Sequence, residues 1–181
     1  MRGKYKKISS TNCYDGKYMQ VFRDEVTYSN GEKGTYEHYK KNDIVVIIPI
    51  YQKEYVLIEQ YRYLADSRMI EFPMGLLNKG EDIIDAGIRE LREETGLLSK
   101  EVKYLGKCML NKGSTSQACH FVTANIHGSG KPSYDKSESD IDVVFLTSEK
   151  IKSLIKDGKI IDGATIIGFT LSNLLSSAQG G

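Results

Sequence analysis

One segment, from Gly75 to Leu97, constrains the fold of this chain more than any other, and it reads GLLNKGEDIIDAGIRELREETGL. Its second half predicts an α-helix over Asp82–Thr95, because apolar side chains recur along one face with the helical period. These apolar residues are Ile84, Ile88 and Leu91. Gly96 follows directly and is suited to end the helix, since glycine adopts the left-handed conformation of a C-terminal cap at little cost. We therefore expect a loop that leads into an amphipathic helix.

The positions of the acidic residues on this helix indicate a role beyond keeping its surface soluble. Each residue turns an α-helix by about 100°, so Glu90 and Glu94 lie about 40° apart on one face, and Glu93 lies about 100° from Glu94. Like charges at i and i+4 repel each other. Carboxylates stacked at this spacing suit a hard divalent cation with oxygen ligands, Mg²⁺ or Mn²⁺. Spacing alone leaves a second interpretation open, which is an amphipathic helix with a solvated acidic face.

A loop with a glycine at each end, Gly75–Gly80, precedes the helix. Glycines allow the backbone to turn sharply and to present a carbonyl to a nearby ion. Arg89 lies on a different face of the helix from Glu90. We therefore expect Arg89 to pair with Glu93 or Glu81 and to hold the loop against the helix.

The remainder of the chain predicts a mixture of strands and helices. Asp43–Tyr51 and Glu54–Tyr61 are dense in Val, Ile and Leu, and only two residues separate them. They predict an antiparallel pair whose first strand is buried on both faces. Further strands are predicted over Val102–Leu110, Gln117–Ala124 and Ile141–Leu146, and further helices over Ser148–Asp157 and Ala164–Ser176. Because strands and helices do not alternate strictly, the fold class is α+β or a small α/β sandwich.

The first 42 residues differ from the rest in being rich in Tyr, Lys and Gly. Apolar and polar residues alternate over Tyr18–Tyr28, the turn-like segment Ser29–Gly34 follows, and Thr35–Lys40 comes next. This order predicts a β-hairpin or meander. Little of it is continuously apolar, so we do not expect it to form the core of the protein.

Length and composition argue against several classes of protein, among them nucleic-acid-binding, membrane-spanning and secreted proteins. The 181 residues, 40% hydrophobic and 27% charged, fit one globular domain. The net charge of +1 gives no reason to expect a nucleic-acid partner. The longest apolar run, Val45–Ile50, is far shorter than the roughly 20 residues of a membrane span, and the basic N-terminus lacks the apolar stretch of a secretory signal. The three cysteines lack the spacing of metal ligands, and their odd number argues against a disulfide framework. Together these features predict a cytoplasmic protein with reduced cysteines.

Histidine and cysteine outside the acidic segment are expected to be structural. His38, His120 and His127 have no mutual spacing that suggests a zinc site. His120 lies in a strand-like apolar context, which predicts a hydrogen-bonded packing residue. Cys108 and Cys119 occupy predicted strands and are expected to behave as buried apolar residues.

The acidic segment also matches a known signature, G-x5-E-x7-R-E-U-x-E-E-x-G-U, where U is aliphatic. All nine fixed positions are present within 23 residues: Gly75, Glu81, Arg89, Glu90, Leu91, Glu93, Glu94, Gly96 and Leu97. In this the chain resembles the Nudix hydrolase family. The resemblance implies an α+β fold, a Nudix-type α/β/α sandwich with a mixed sheet, preceded by an N-terminal antiparallel β meander. It implies two domains, the meander over 1–42 and the Nudix hydrolase domain over 43–181.

Nudix hydrolases cleave a diphosphate linked to another group with the help of divalent metal, so the resemblance implies Mg²⁺ or Mn²⁺ as cofactor. It implies metal ligation by Glu90, Glu93, Glu94 and the carbonyl of Met74, and structural support by Gly75, Glu81 and Arg89. Physical reasoning agrees, because an acidic pocket binds a diphosphate anion only if cations lie between them. The catalytic base is implied to be Glu138 in the polar loop Gly128–Ser139, with Asp140 second and Glu93 as a further candidate.

Three further stretches, Glu59–Tyr63, Glu71–Gly75 and Lys159–Thr165, are similar to the branch that acts on ADP-ribose and nucleoside diphosphate sugars. The similarity implies substrate-binding roles for Arg62, Glu71 and Glu59. It also implies a homodimer in which residues 1–42 are the dimerisation element. Arg62 has a physical rationale of its own, since its planar guanidinium can bind a phosphate or stack on a base. The alternative is a surface arginine that pairs with Glu59 or Asp66.

The predicted reaction is hydrolysis of ADP-ribose, or of a related nucleoside diphosphate sugar, to a nucleoside monophosphate and a sugar phosphate. The predicted partner is therefore a small-molecule nucleoside diphosphate derivative. A proline turn typical of ADP-ribose pyrophosphatases is missing from Leu110–Gln117. The substrate can therefore be another nucleoside diphosphate sugar instead of ADP-ribose. Two other functions also stay open. One is a nucleoside triphosphate pyrophosphohydrolase, and the other is a sensor that binds a nucleotide ligand on a Nudix fold without turnover.

Overall fold

The computed structural model describes residues 3–132 and 140–177. Within them the backbone forms two compact units. The first comprises the described residues up to Asn42 together with Met109–Gln117. The second comprises Asp43–Cys108 and the described residues from Ala118 onward. No helix in the described part of the chain is long and apolar enough to cross a membrane.

The first unit contains an antiparallel meander of three strands, β1 (Lys6–Asp15), β2 (Gln20–Thr27) and β3 (Lys33–Lys40). The predicted meander is confirmed. In the turn between β2 and β3, the Asn30 side chain accepts a hydrogen bond from the Glu32 backbone N–H at 3.0 Å. Nothing in the sequence predicts β1, because every residue of this strand is exposed and its side chains do not alternate between apolar and polar.

Met109–Gln117 belongs to the first unit through hydrogen bonds with β3. The Tyr39 backbone N–H donates to the Ser114 carbonyl at 2.9 Å, and the Tyr36 hydroxyl donates to the Gly113 carbonyl at 2.8 Å. The predicted division after residue 42 leaves this segment with the second domain, whereas the structure groups it with the meander. Tyr36 and Gly113 are 77 residues apart in the chain, so no local sequence pattern predicts this contact.

The second unit is built on a mixed sheet of seven strands. They are β4 (Ile44–Tyr51), β5 (Glu54–Arg62), β6 (Ser67–Glu71), β7 (Met74–Leu76), β8 (Leu97–Cys108), β9 (Cys119–Ser129) and β10 (Asp142–Leu146). The main order is β10-β5-β4-β9-β8. β4 and β9 run parallel, and the other pairs are antiparallel. The predicted antiparallel pair β4–β5 is confirmed.

Helices cover both faces of this sheet. Alternate residues of β4 point to opposite cores, and the central residues Val45–Ile48 are fully buried on both faces, as predicted for this strand. On one face, Val45 and Ile47 pack with α1 (Ile83–Thr95). On the other face, Val46 and Ile48 pack with α2 (Ser148–Lys156) and α3 (Gly163–Ser177). This is the predicted α/β/α sandwich.

The sheet splits between β4 and β5. These strands pair with each other only beside their turn, at Ile50 with Tyr55 and Tyr51 with Glu54. Farther along, β7 pairs with β4 and β6 pairs with β5. The two residues between β6 and β7 therefore cross the split, and the residue that follows them, Met74, lies next to α1.

The buried face of α1 differs from the predicted apolar stripe. Of the stripe residues, Ile88 is 37% exposed, whereas Leu91 is fully buried. The helix instead approaches the sheet through Ala86 and Gly87, because a Cβ on Gly87 would lie only 2.9 Å from a methyl group of Val122. Small residues let the helix axis come close to the sheet, and a stripe of large apolar residues does not reveal such a contact.

His120 and Cys119 occupy the buried positions predicted for them, whereas Cys108 is half-buried at the edge of the core. The His120 ring is 7% exposed and lies within hydrogen-bond distance of the Tyr104 hydroxyl (3.2 Å) and the Asp43 carboxylate (3.4 Å). The strand register places Cys108 opposite Cys119. Burial raises the pKa of both thiols, that of Cys119 to about 12.

Thiol reactivity provides a test of this packing. In the folded protein we expect Ellman's reagent to modify the exposed Cys13 rapidly and Cys108 and Cys119 far more slowly, because the thiolate is the reactive form and burial disfavours it. Absorbance of the released thionitrobenzoate measures both phases, and guanidinium should make all three thiols react at similar rates. Rapid modification of the folded Cys13→Ser variant would contradict the packing.

Candidate functional site

The loop between β7 and α1 is closed by its own acidic side chains. The Glu81 carboxylate accepts a hydrogen bond from the Asn78 backbone N–H at 2.8 Å, and the Asp82 carboxylate caps the helix by accepting from the Ile84 N–H at 2.8 Å. Gly80 has a φ of 79°, a left-handed conformation that glycine adopts without strain. Gly96 ends α1 in the left-handed conformation that its sequence position predicts.

Arg89 ties this loop to the helix, as predicted. Its Nε and Nη2 donate to the two oxygens of Glu81 at 2.8 and 3.0 Å, and Nη2 also donates to the Leu76 carbonyl at 3.2 Å. Its Nη1 donates to Glu93 at 3.0 Å and to Glu90 at 2.6 Å. The bond to Glu90 goes beyond the prediction and supplies a positive charge to a carboxylate that is 7% exposed.

Glu81 gives the fold a specific acid sensitivity. The hydrogen bond from Arg89 holds the pKa of Glu81 at about 2, below its ordinary value of 4.5. Because this pKa is depressed in the folded state, its stabilisation is fully present above the unfolded-state value of 4.5 and is lost as the pH falls toward about 2. Over that range we expect the melting temperature to fall more steeply for the parent protein than for Glu81→Gln.

Circular dichroism melts at a series of pH values measure this difference. Glu149→Gln is the matched control, because its carboxylate is 83% exposed beside Lys152. It should melt in parallel with the parent at every pH. Parallel curves for the parent and Glu81→Gln would contradict the role given to this ion pair.

Glu90 and Glu94 form the buried centre of the site. Glu94 is 2% exposed, and its carboxylate accepts a hydrogen bond from the Met74 backbone N–H at 3.1 Å. Glu90 fits against Gly75 so closely that a Cβ on Gly75 would lie 1.9 Å from its Oε1. Glu93 is more open, with a side chain 40% exposed. The loop and the helix thus place Met74 beside Glu94 and Gly75 beside Glu90, on the same helix as Glu93.

The donor set fits a hard divalent cation. It consists of carboxylate oxygens on adjacent turns of a helix, and such oxygens are the ligands that Mg²⁺ and Mn²⁺ prefer. Two of these carboxylates, Glu90 and Glu94, are almost fully buried, which is costly for charges unless cations compensate them. Among the described residues, no three acidic, histidine or cysteine side chains are already drawn together closely enough to enclose an ion.

Arg62 and Glu71, both predicted to bind substrate, pair with each other. Arg62 Nε donates to Glu71 Oε1 at 2.7 Å, and the Glu71 side chain is 4% exposed whereas that of Arg62 is 40% exposed. Burial raises the pKa of Glu71, although Arg62 opposes it. The alternative partners Glu59 and Asp66 are not the ones Arg62 uses. The charges of Glu94 and Asp162 also act on Arg62 and help to raise its pKa, so this pair lies within electrostatic reach of one carboxylate of α1.

Glu59 belongs to a different cluster, centred on Arg68. Arg68 Nε lies 3.4 Å from the Glu59 carboxylate. Its Nη1 donates to both oxygens of Asp140 at 2.7 and 2.8 Å, and its Nη2 donates to Asp142 at 2.6 Å. Sequence reasoning missed Arg68, because it meets these acids only when β6 and β10 both pair with β5. Glu138, the first candidate for the base, lies outside the described residues.

Known proteins share this architecture. The family model described as NUDIX domain matches residues 40–164. The chain is 27% identical over 164 residues to the methanol dehydrogenase activator of Bacillus methanolicus, which covers 90% of this chain and 89% of that protein. It is 22% identical over 176 residues to the ADP-ribose pyrophosphatase of Bacillus subtilis (strain 168), covering 96% and 95% of the two chains.

A solved structure agrees with the fold. The crystal structure of an ADP compounds hydrolase superposes with a TM-score of 0.88 at 21% identity, covering 98% of this chain and 96% of that one. At this identity the likeness concerns the fold alone, and it confirms the predicted sandwich with its N-terminal meander. Since the family model spans more than half of the chain, and all nine signature residues are present, this protein belongs to the Nudix hydrolase family.

Proposed function

We propose that this Nudix pyrophosphatase hydrolyses the diphosphate of ADP-ribose or of a related nucleoside diphosphate sugar. The products would be a nucleoside monophosphate and a sugar phosphate. The observation that carries the proposal is the buried pair Glu90 and Glu94, of which Glu90 packs against Gly75 and Glu94 accepts from the Met74 N–H and acts on the charge of Arg62. The relative named ADP-ribose pyrophosphatase, which aligns along nearly all of this chain, supports the choice of substrate class.

We assign Mg²⁺ or Mn²⁺ as the cofactor, held by Glu90, Glu93, Glu94 and the carbonyl of Met74. A diphosphate carries negative charge and would be repelled by these carboxylates without cations. When bound, the metal supplies Lewis-acid polarisation of the phosphoryl oxygens and lowers the pKa of water. Gly75, Glu81 and Arg89 support this arrangement by holding the loop against α1.

The remaining protein groups position the substrate and move its protons. The exposed part of Arg62 can bind a phosphate oxygen through its guanidinium, while Glu71 fixes the orientation of that side chain from beneath. The proton of the attacking water would pass to Glu138 or to Glu93. Both carboxylate oxygens of Asp140 already accept from Arg68, which favours the other two acids over Asp140 as the base. Glu59 would act on the substrate only indirectly, since its carboxylate lies beside Arg68.

The prediction of a cytoplasmic homodimer also stays a proposal. The meander over residues 1–42 exposes several large apolar side chains that a second copy of the chain could cover. They are Tyr5, Ile8, Tyr14, Tyr18 and Met19. A monomer in light scattering at micromolar concentration would contradict the dimer.

Product analysis on a substrate panel tests the proposed reaction. The parent protein is incubated with Mg²⁺ and, separately, ADP-ribose, UDP-glucose, GDP-mannose or ATP, and the products are separated by ion-exchange chromatography. We expect AMP and ribose 5-phosphate from ADP-ribose, or the corresponding monophosphates from a sugar nucleotide. Release of inorganic diphosphate from ATP as the main activity would replace this proposal by a triphosphate pyrophosphohydrolase. Ligand binding without turnover would indicate a sensor.

A further inference from the structure

The crossing between β6 and β7 is held by a side chain outside the family signature. Phe72 is fully buried at the start of this crossing, and its backbone N–H has no neighbouring strand to bond with because β6 ends at Glu71. A buried N–H needs an acceptor. The hydroxyl of Thr165 in α3 accepts this N–H at 2.9 Å, and Thr165 is itself fully buried.

The same crossing carries backbone groups of the candidate metal site. The next residue, Pro73, has no N–H to donate, and its carbonyl accepts from the Ile47 N–H of β4 at 2.9 Å. The residue after it, Met74, donates its N–H to the Glu94 carboxylate at 3.1 Å. Three consecutive residues are thus held by α3, β4 and α1 in turn, so a shift at Phe72 is passed directly to Met74 and Glu94.

Asp162 fixes Thr165 in the first turn of α3. The Asp162 carboxylate accepts from the Thr165 backbone N–H at 2.7 Å, and its carbonyl accepts from the Ile166 N–H at 3.1 Å. This is the geometry of a helix N-cap, which fixes the start of a helix relative to its neighbours. The charge of Asp162 also acts on Arg62 and Glu71. The start of α3 therefore acts on the crossing that leads to Met74 and also on the pair of Arg62 and Glu71.

We propose that Thr165 is a positioning residue for the metal site, acting through the hydrogen bond from the Phe72 N–H, with Asp162 holding Thr165 in place. This inference rests on the proposed function, since it concerns the cation that Glu94 and Met74 are proposed to bind. Loss of the hydroxyl leaves the Phe72 N–H without its acceptor, and the crossing must shift to find another. Residues that orient metal ligands in this way typically contribute about 10- to 100-fold to metal affinity or activity.

Direct Mn²⁺ binding, without substrate, tests the proposal. Free Mn²⁺ is followed by electron paramagnetic resonance during titration of the parent, Thr165→Val and Thr165→Ser. Valine matches the shape of threonine but lacks the hydroxyl, so we expect the Mn²⁺ dissociation constant to rise about tenfold or more. Serine keeps the acceptor and should restore most of the affinity. A role in stability alone would change the melting temperature without changing the Mn²⁺ affinity of the folded protein.

Thr170→Val is the matched control, because Thr170 lies in the same helix and donates its hydroxyl to the Ile166 carbonyl at 2.8 Å, away from the crossing. It should bind Mn²⁺ like the parent. If Thr165→Val does not fold, Asp162→Ala takes its place, with Asp162→Asn as the variant that keeps a capping oxygen. If Thr165→Val or Asp162→Ala binds Mn²⁺ as tightly as the parent, the inference about Thr165 is wrong and the proposed function is unaffected. Absence of Mn²⁺ binding by the parent would overturn the proposed function as well.

Discussion

Replacing Glu94 by Gln is expected to lower kcat for ADP-ribose by about 1,000-fold, because a metal ion contributes several kcal/mol to the transition state and each 1.36 kcal/mol is a factor of ten. The fold should survive the change, since glutamine has the same shape and can still accept the Met74 N–H. Removing one of two like charges at i and i+4 should leave the melting temperature of the metal-free protein equal or higher.

Glu94→Gln is therefore expected to lower kcat without lowering the melting temperature. Replacement of a carboxylate that serves only the fold would lower the melting temperature instead. Steady-state kinetics and thermal melts on the same preparation measure both quantities. Asp85→Asn is the matched control, because Asp85 is an exposed acid on the same helix. It should keep the parental kcat. Full activity of Glu94→Gln, or its failure to fold, would show that Glu94 does not serve as proposed.

Replacing Gly75 by Ala is expected to lower turnover by about 100-fold while leaving the protein folded, because misplacing a catalytic group by about 1 Å costs a factor of this size. The added Cβ would lie 1.9 Å from Glu90 Oε1 and 2.1 Å from its carboxyl carbon. The carboxylate is the flexible end of a side chain, so it can turn away without disturbing the core. In doing so it leaves the position where Arg89 donates to it at 2.6 Å.

Gly128→Ala provides the comparison, because a Cβ at Gly128 meets no atom within 4 Å. We expect this variant to match the parent in kcat and in melting temperature. In the same assay, the kcat of Gly75→Ala should be far below that of the parent and that of Gly128→Ala. Parental turnover by Gly75→Ala would mean that the close fit of Glu90 against the loop is not required for the reaction.

The acidic loop and helix could be predicted from the sequence because their determinants are local. The caps Asp82 and Gly96 and the ion pair of Arg89 with Glu81 all lie within the 23 residues of the signature. The strands β4 and β5 were equally predictable, since a strand buried on both faces is continuously apolar and its neighbour follows after a two-residue turn. The short strands β6 and β7 were not predicted.

Contacts between distant parts of the chain could not be predicted. Arg68 reaches Asp140, 72 residues away, because β6 and β10 both pair with β5. A sequence reveals that an arginine is available but not which acid the topology will place beside it. The hydrogen bond between Thr165 and Phe72 could not be predicted for the same reason, since the two residues are 93 positions apart in the chain.

The most direct test of the central claim is the formation of AMP and ribose 5-phosphate from ADP-ribose by the purified parent protein. The reaction is followed with Mg²⁺, after removal of metal with EDTA, and after Mg²⁺ is added back. We predict turnover with Mg²⁺, loss of turnover with EDTA and recovery on readdition, because the carboxylates of α1 can bind a diphosphate only through cations. Undiminished hydrolysis in EDTA, or no hydrolysis of ADP-ribose and sugar nucleotides with Mg²⁺, would contradict the account.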